Sequence, residues 1–136
     1  MSTTRRRSSG GSLAIAHPRV GNQLQEWFDG LYVDARYEAL DVLGYLQRLP
    51  RHLWHGPQFE ALDADLSEIR FRVGSLSQWY RMYGTFWPEE RRYSYTLLLG
   101  KEKKVKNDTK GKKEARERLK KLRNKEATIH VFRFNQ

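Results

Sequence analysis

Arginine and tyrosine residues recur at short spacing in the middle of this 136-residue chain. Residues 68–73 read Glu-Ile-Arg-Phe-Arg-Val, and residues 78–84 read Gln-Trp-Tyr-Arg-Met-Tyr-Gly. Guanidinium groups bind phosphate oxygens through paired hydrogen bonds, and phenol rings offer flat surfaces on which unpaired bases stack. These residue types favour recognition of a phosphodiester backbone, and the candidates are Arg70, Arg72, Tyr80, Arg81 and Tyr83.

A dense run of positive charge follows. Residues 101–125 contain thirteen Lys or Arg residues against four Asp or Glu residues, and the whole chain has a net charge of +10. Each phosphate that a basic side chain neutralises releases condensed counterions, so this concentration of charge favours a polyanionic partner. The lysines that we assign to the same site are Lys101, Lys103, Lys104, Lys106 and Lys110.

Each of these side chains also has a structural interpretation. A strand would place Tyr80 and Tyr83 on opposite faces of a sheet, so one of them could belong to the core. Arg70 and Arg72 could form surface pairs with Glu68. Because the charge run lies nearby in the sequence, the set as a whole favours nucleic acid.

Several other kinds of site lack the residues that they need. The chain has no cysteine, which excludes thiolate zinc sites and a cysteine nucleophile. His52 and His55 have ligand-like spacing but stand in a loop segment with no acidic partner nearby, so structural roles are favoured over metal binding. No glycine-rich phosphate loop follows a predicted strand. We therefore expect no metal and no other cofactor.

Two periodicities indicate the elements that must position the candidate residues. Apolar residues first recur at spacings of three and four, which predicts helices near 22–30 and 34–49 that form an antiparallel hairpin. The period then shortens to two, which predicts antiparallel strands at 67–73, 78–85 and 93–99. Outward side chains of neighbouring strands stand about 5 Å apart, so the arginines and tyrosines could share one face.

The remaining segments complete the predicted architecture. Residues 1–19 are rich in Ser, Gly and Arg and are interpreted as a flexible basic tail, in which 13–16 could add an edge strand. A loop should lead into a basic helix at 112–127, capped by Asp108 or Thr109. The expected fold class is α+β, with a helical hairpin on an antiparallel sheet of three to four strands, in a single domain at 20–136.

Hydropathy gives an expectation about location. No stretch approaches the roughly 18 consecutive apolar residues that a membrane helix needs. The arginines at 5–7 precede too short an apolar segment for a signal peptide. We therefore expect a soluble, cytoplasmic protein with no membrane partner.

The order of these motifs resembles the phage-derived, HigB-like branch of the RelE/ParE toxin superfamily. The matching pieces are Glu68-Ile69-Arg70, Tyr80-Arg81-Met82-Tyr83, Leu97-Leu98-Leu99-Gly100 and Lys103-Lys104. The resemblance implies a RelE-like fold and a toxin of a type II toxin–antitoxin pair, which cleaves mRNA, commonly on the ribosome, and is silenced by an antitoxin protein. Leu99 and Lys101 stand where many relatives carry His and Phe, and the strand that usually precedes the hairpin is not evident.

The implied endoribonuclease reaction is attack of an RNA 2′-hydroxyl on the adjacent phosphate, which needs no metal. It does need a base, positive charge for the phosphorane and a proton for the leaving oxygen. We expect the clustered lysines to supply the base, the arginines to supply the positive charge, and a tyrosine to orient or protonate the leaving group. The expected catalytic residues are Arg70, Arg81, Tyr83, Lys103 and Lys104, and the expected RNA-binding residues are Arg72, Tyr80, Lys101, Lys106 and Lys110.

Two other functions fit the same residues. A non-catalytic module could hold nucleic acid or a protein partner through the basic helix, and a ParE-like protein could inhibit a DNA enzyme. The missing His near Leu99 favours binding without turnover, whereas the Tyr-Arg-x-Tyr and Lys-Lys elements favour the nuclease.

Overall fold

A six-stranded sheet with helices packed against both of its faces forms the framework of the protein. The computed structural model describes residues 14–19, 23–74, 77–86 and 94–131. This combination of helices and sheet confirms the expected α+β class. In chain order the elements are β1 (Ala14–Arg19), α1 (Gln23–Asp29), α2 (Val33–Gln47), β2 (Phe59–Ala61), β3 (Ser67–Val73), β4 (Gln78–Thr85), β5 (Ser94–Glu102), α3 (Thr109–Arg123) and β6 (Thr128–Val131).

The central meander follows the period-two pattern of the sequence. Strands β3 and β4 have the predicted bounds, and the sheet order is β2-β3-β4-β5-β1-β6. Strand β5 extends to Glu102 instead of ending at residue 99. The strand continues through Gly100. The ring of Trp27 occupies the space that a Cβ of this residue would fill. This glycine lets α1 pack closely on the strand.

Strand β1 changes the boundary that the composition suggested. Residues 14–19 were predicted as the end of a tail with a possible edge strand, but they pair in parallel with β5 and antiparallel with β6. Backbone pairing on both sides can hold a strand whose sequence has no strong apolar alternation. The rest of the predicted tail lies outside the described residues.

The helical hairpin covers one face of the sheet, which we call the hairpin face. Helix α2 spans Val33–Gln47, so it begins and ends slightly before the predicted bounds of 34–49. The hairpin buries a continuous apolar core against β3, β4 and β5. Its members include Leu24, Phe28, Ala35, Ala39, Leu43, Leu46, Ile69, Phe71, Val73, Tyr80, Met82, Tyr95 and Leu97.

Helix α3 covers part of the opposite face, which we call the α3 face. Ala115, Leu119 and Leu122 are buried there against a smaller apolar cluster. The helix begins at Thr109, earlier than the predicted residue 112. The sequence suggested a loop at Gly111, but this glycine lies in the first turn of α3. The carboxylate of Asp108 occupies the position that a Cβ of Gly111 would take. The sheet members of the cluster are Leu66, Tyr83, Leu98 and Leu99.

Candidate nucleic-acid interface

The strand register brings most of the candidate side chains onto the α3 face. Residues directly opposite one another on neighbouring strands point to the same side of a sheet, with Cβ atoms about 5 Å apart. On the α3 face, β3 and β4 therefore carry three rows of paired residues. Helix α3 covers one end of this face, and the other end is open. The register pairs Glu68 with Tyr83, Arg70 with Arg81, Arg72 with Trp79, and Arg81 with Lys101.

Arg81 lies at the centre of a buried polar cluster. Its side chain is only 1% exposed. The Nη1 atom donates to the hydroxyl of Tyr83 at 2.7 Å, and Nη2 donates to the carbonyl oxygen of Val105 at 2.6 Å. The Nε atom is 3.4 Å from Oε2 of Glu68, which is also buried. Arg81 therefore ties β3 and β4 to the segment that follows β5.

Asp108 completes the cluster and begins α3. Its carboxylate accepts hydrogen bonds from the backbone N–H of Gly111, from Lys101 Nζ and from the hydroxyl of Tyr83, each at 3.1 Å. Burial acts to raise the pKa of Asp108, but these hydrogen bonds outweigh it and hold the pKa below its ordinary value. The ionised carboxylate thus caps the helix and binds a lysine at once.

The burial of Arg81 and Tyr83 argues against their predicted roles. Neither side chain presents a polar atom to solvent, since Arg81 is 1% exposed and Tyr83 is fully buried. Burial also raises the pKa of the Tyr83 phenol to about 12. A guanidinium and a phenol that satisfy each other inside the protein cannot at the same time bind a phosphate or protonate a leaving group.

Tyr80 does not lie with the exposed cations either. Tyr80 belongs to the hairpin face, where its ring stacks on Phe71 with centroids 5.2 Å apart and planes inclined by 10°. Burial, followed by the charge of Glu102, raises the pKa of Tyr80. Both tyrosines therefore belong to the core. Tyr80 faces the hairpin, and Tyr83 faces the opposite side of the sheet, where α3 covers it.

The open end of the α3 face carries the exposed cations. We define the cationic patch as Arg70, Arg72, Trp79, Lys101 and Lys103. Arg72 is exposed, and the side chain of Lys101 is 38% exposed while it holds Asp108. Arg70 is partly exposed, and its Nη1 lies 3.0 Å from a carboxylate oxygen of Glu60, a pair of modest strength because Glu60 is half in solvent. These side chains lie within reach of a polyanion.

The other predicted lysines lie beside the patch and not on the sheet. Lys104 and Lys106 are exposed in the connection between β5 and α3. Lys110 is exposed in the first turn of α3. The structure thus groups part of the predicted set on one surface and leaves these lysines along its border.

Three residues of this region were missed or misread in the sequence. Trp79 shares the α3 face with Arg81 by alternation, so the period-two pattern alone could have placed it beside the arginines. Glu68 was interpreted as a surface partner of Arg70 and Arg72, but it faces Arg81. The additional role of Asp108 depends on the fold of the segment after β5, for which the sequence carries no periodic signal.

The described residues offer no metal site to set against this surface. There, no group of three His, Asp or Glu side chains is arranged to hold a metal ion, and Nδ1 of His55 lies 2.8 Å from the carbonyl oxygen of Gly56. None of the described helices combines the length and apolar character required to cross a membrane. Comparisons of the chain with family models, with curated proteins and with solved structures found no match.

Proposed function

We propose that this chain is an RNA-binding protein of the RelE/HigB-like toxin type and that the cationic patch holds the RNA backbone. The observation that carries the proposal is the grouping of Arg70, Arg72, Lys101 and Lys103 beside Trp79 at the uncovered end of the α3 face. Strands β3 and β5 fix the backbone positions of Arg70, Arg72 and Lys101, and the backbone hydrogen bond from Lys103 to Trp79 fixes that of Lys103.

The order of the elements supports the toxin type. The described chain runs strand, helix, helix, a meander centred on β3, β4 and β5, and then a basic helix. The strand before the helical hairpin, which that family usually has and which the sequence did not reveal, is present as β1. The architecture is therefore compatible with the resemblance drawn from the motifs.

The proposal also includes cleavage of the bound RNA. Without Arg81 and Tyr83, the remaining candidates are the lysines of the patch and its border, with Arg70 to stabilise the phosphorane. One lysine accepts the proton of the 2′-hydroxyl, the 2′-oxygen attacks phosphorus, and the 5′-oxygen leaves with a proton from a second, protonated lysine. The products are a cyclic phosphate and a free 5′-hydroxyl. In this proposal mRNA, positioned on the ribosome, is the substrate, and an antitoxin protein is the regulating partner.

Binding without turnover is the second candidate. The observation that favours it is the burial of Arg81 and Tyr83, which removes one arginine and the phenol from the expected catalytic set. The two candidates share the same surface and differ only in whether the bound RNA is cut.

The test uses a fluorescently labelled single-stranded RNA with the full chain in the presence of EDTA. Fluorescence anisotropy measures binding, and gel electrophoresis measures cleavage. We expect Arg72→Gln with Lys103→Gln to weaken binding about tenfold, because two phosphate contacts are lost. The matched control is Arg48→Gln, an exposed cation at the end of α2, which should bind as wild type does.

The outcomes separate the alternatives. Wild-type protein that fails to bind RNA, or a control variant that loses as much affinity as the patch variant, would contradict the proposal. Fragments ending in a cyclic phosphate would establish the nuclease, whereas intact RNA with patch-dependent binding would leave the binding module. Tighter binding to duplex DNA than to RNA would also contradict the proposal.

A further inference from the structure

Trp79 differs from the other described tryptophans in its surroundings. Its side chain is exposed to 42%. Trp54 is only 5% exposed, lies 5.1 Å from the ring of Tyr95 and donates its indole N–H to the carbonyl oxygen of Leu49. The ring of Trp27, a residue of α1, packs on Gly100. Among the tryptophans that the structure describes, Trp79 alone is classed as exposed, so core packing does not account for it.

The surroundings of Trp79 suit a base with phosphates on either side. Arg72 is its cross-strand partner on β3. On the other side, the backbone N–H of Lys103 donates to the carbonyl oxygen of Trp79 at 2.7 Å, which fixes the two backbones together. Two cations thus flank one flat apolar surface.

The contact between Lys103 and the ring of Trp79 is a loose one. The Nζ atom lies 5.9 Å from the ring centroid. This distance is near the outer limit of about 6 Å for a cation–π contact. The ammonium therefore stands over the ring in a loose contact and remains available to a phosphate.

We propose that Trp79 is a stacking platform for an unpaired base, with Arg72 and Lys103 binding the phosphates next to that base. The inference rests on the proposed function and adds to it the residue that selects unpaired over paired RNA. Every base has a π-face that can stack on an indole, whereas the bases of a duplex are already stacked on each other. The patch cations alone would hold either form.

The experiment compares a single-stranded oligoadenylate with a duplex RNA of the same length, using the full chain. We expect wild type to bind the single strand more tightly than the duplex. In Trp79→Ala the ratio of these two affinities should fall about tenfold, because one stacking contact is lost. Trp79→Phe, which keeps a smaller ring, should recover most of the preference. Circular dichroism of each variant shows whether it is folded.

Tryptophan fluorescence supplies a readout that does not depend on affinity. Stacking on a base should quench part of the emission in wild type, and this quenching should be absent in Trp79→Phe at saturating RNA. If Trp79→Ala and Trp79→Phe keep the wild-type preference while Arg72→Gln with Lys103→Gln still weakens binding, the stacking role is wrong and the proposed function stands. If the cation variant also binds as wild type does, both fail.

Discussion

A guanidinium that is removed from water needs partners within the protein, and Arg81 finds them in hydrogen bonds from Nη1 and Nη2 and an ion pair at Nε. Its partners come from β3, β4 and the segment after β5, so one side chain joins three parts of the chain. Breaking a buried pair by removing one partner costs more than the pair contributes, because the other charge remains buried and uncompensated. Arg81 is therefore best understood as a residue of the core.

This interpretation predicts a large loss of stability for Arg81→Met. We expect the free energy of unfolding in urea to fall by about 3–5 kcal/mol, since Glu68 is left buried without its cation. The exposed Arg72→Met is the matched control, with a change within about 0.5 kcal/mol. An Arg81→Met protein of wild-type stability that no longer binds RNA would contradict the structural role.

The lowered pKa of Asp108 predicts that the stability of the fold depends on pH. Its pKa is lowered in the folded chain, so its carboxylate stabilises the fold fully above the ordinary value of 3.8, and this contribution is lost as pH falls through the lower folded value. Asp108→Asn keeps a cap residue but removes the charge. We expect it to be less stable than wild type at neutral pH and the gap to close under acid, measured by urea unfolding. A gap of constant size would contradict this account.

At the scale of the element, the start of α3 depends on a glycine that the sequence presented as a loop residue. A Cβ at Gly111 would collide with the carboxylate of Asp108 and come within 3.0 Å of the ring of Tyr83. A Cβ at Gly44 of α2 would meet only the end of the Arg48 side chain at 3.6 Å, an ordinary contact. The two helical glycines should therefore respond in opposite directions to the same substitution.

We expect Gly44→Ala to raise the free energy of unfolding by up to about 1 kcal/mol, as alanine normally does in a helix. We expect Gly111→Ala to lower it, because the cap must move or its hydrogen bonds must break. Thermal and urea unfolding of the two variants provide the comparison. Stabilisation by Gly111→Ala would show that the cap does not have the described geometry.

The elements differ in how far they could be predicted, and the reason is physical. Strands β3 and β4 were predicted to the residue, because side chains that face the hairpin and side chains that face α3 alternate with a period of two along both segments. Gly100 and Gly111 misled the boundaries, since each makes room for one particular neighbour, the distant Trp27 for Gly100 and the carboxylate of Asp108 for Gly111. Strand β1 is defined by backbone pairing on both sides, which leaves little trace in composition.

At the scale of the whole molecule, charge is distributed unevenly between the two sides. The hairpin segment 23–48 has five acidic residues against two basic residues, whereas 101–125 carries thirteen basic residues against four acidic ones. Such an asymmetry directs a polyanion towards one side and raises its rate of association. The side that it favours is the side of the cationic patch.

Salt dependence measures this effect. For single strands, log K falls with log salt at a slope of about 0.7 per neutralised phosphate. We expect Arg72→Gln with Lys103→Gln to make the slope shallower by about 1.4, and Arg48→Gln on the hairpin side to leave it unchanged. Equal slopes for all three proteins would mean that the patch does not contact phosphate.

The candidate site could be predicted only in part. The residue types and the shared sheet face followed from Arg70, Arg72 and the run from Lys101, which the sequence displays directly. What it did not display is how far α3 extends over that face, because this depends on packing between segments far apart in the chain. That coverage buries Arg81 and Tyr83 and leaves Trp79 open.

The most direct test of the central claim is to map the RNA-binding surface by NMR. Amide chemical shifts of the full chain would be recorded during titration with a short single-stranded RNA. The account predicts that the largest changes fall at residues 70–73, 78–81 and 101–104, with α2 unaffected. Changes concentrated in α2, or absent from β3 and β4, would contradict it.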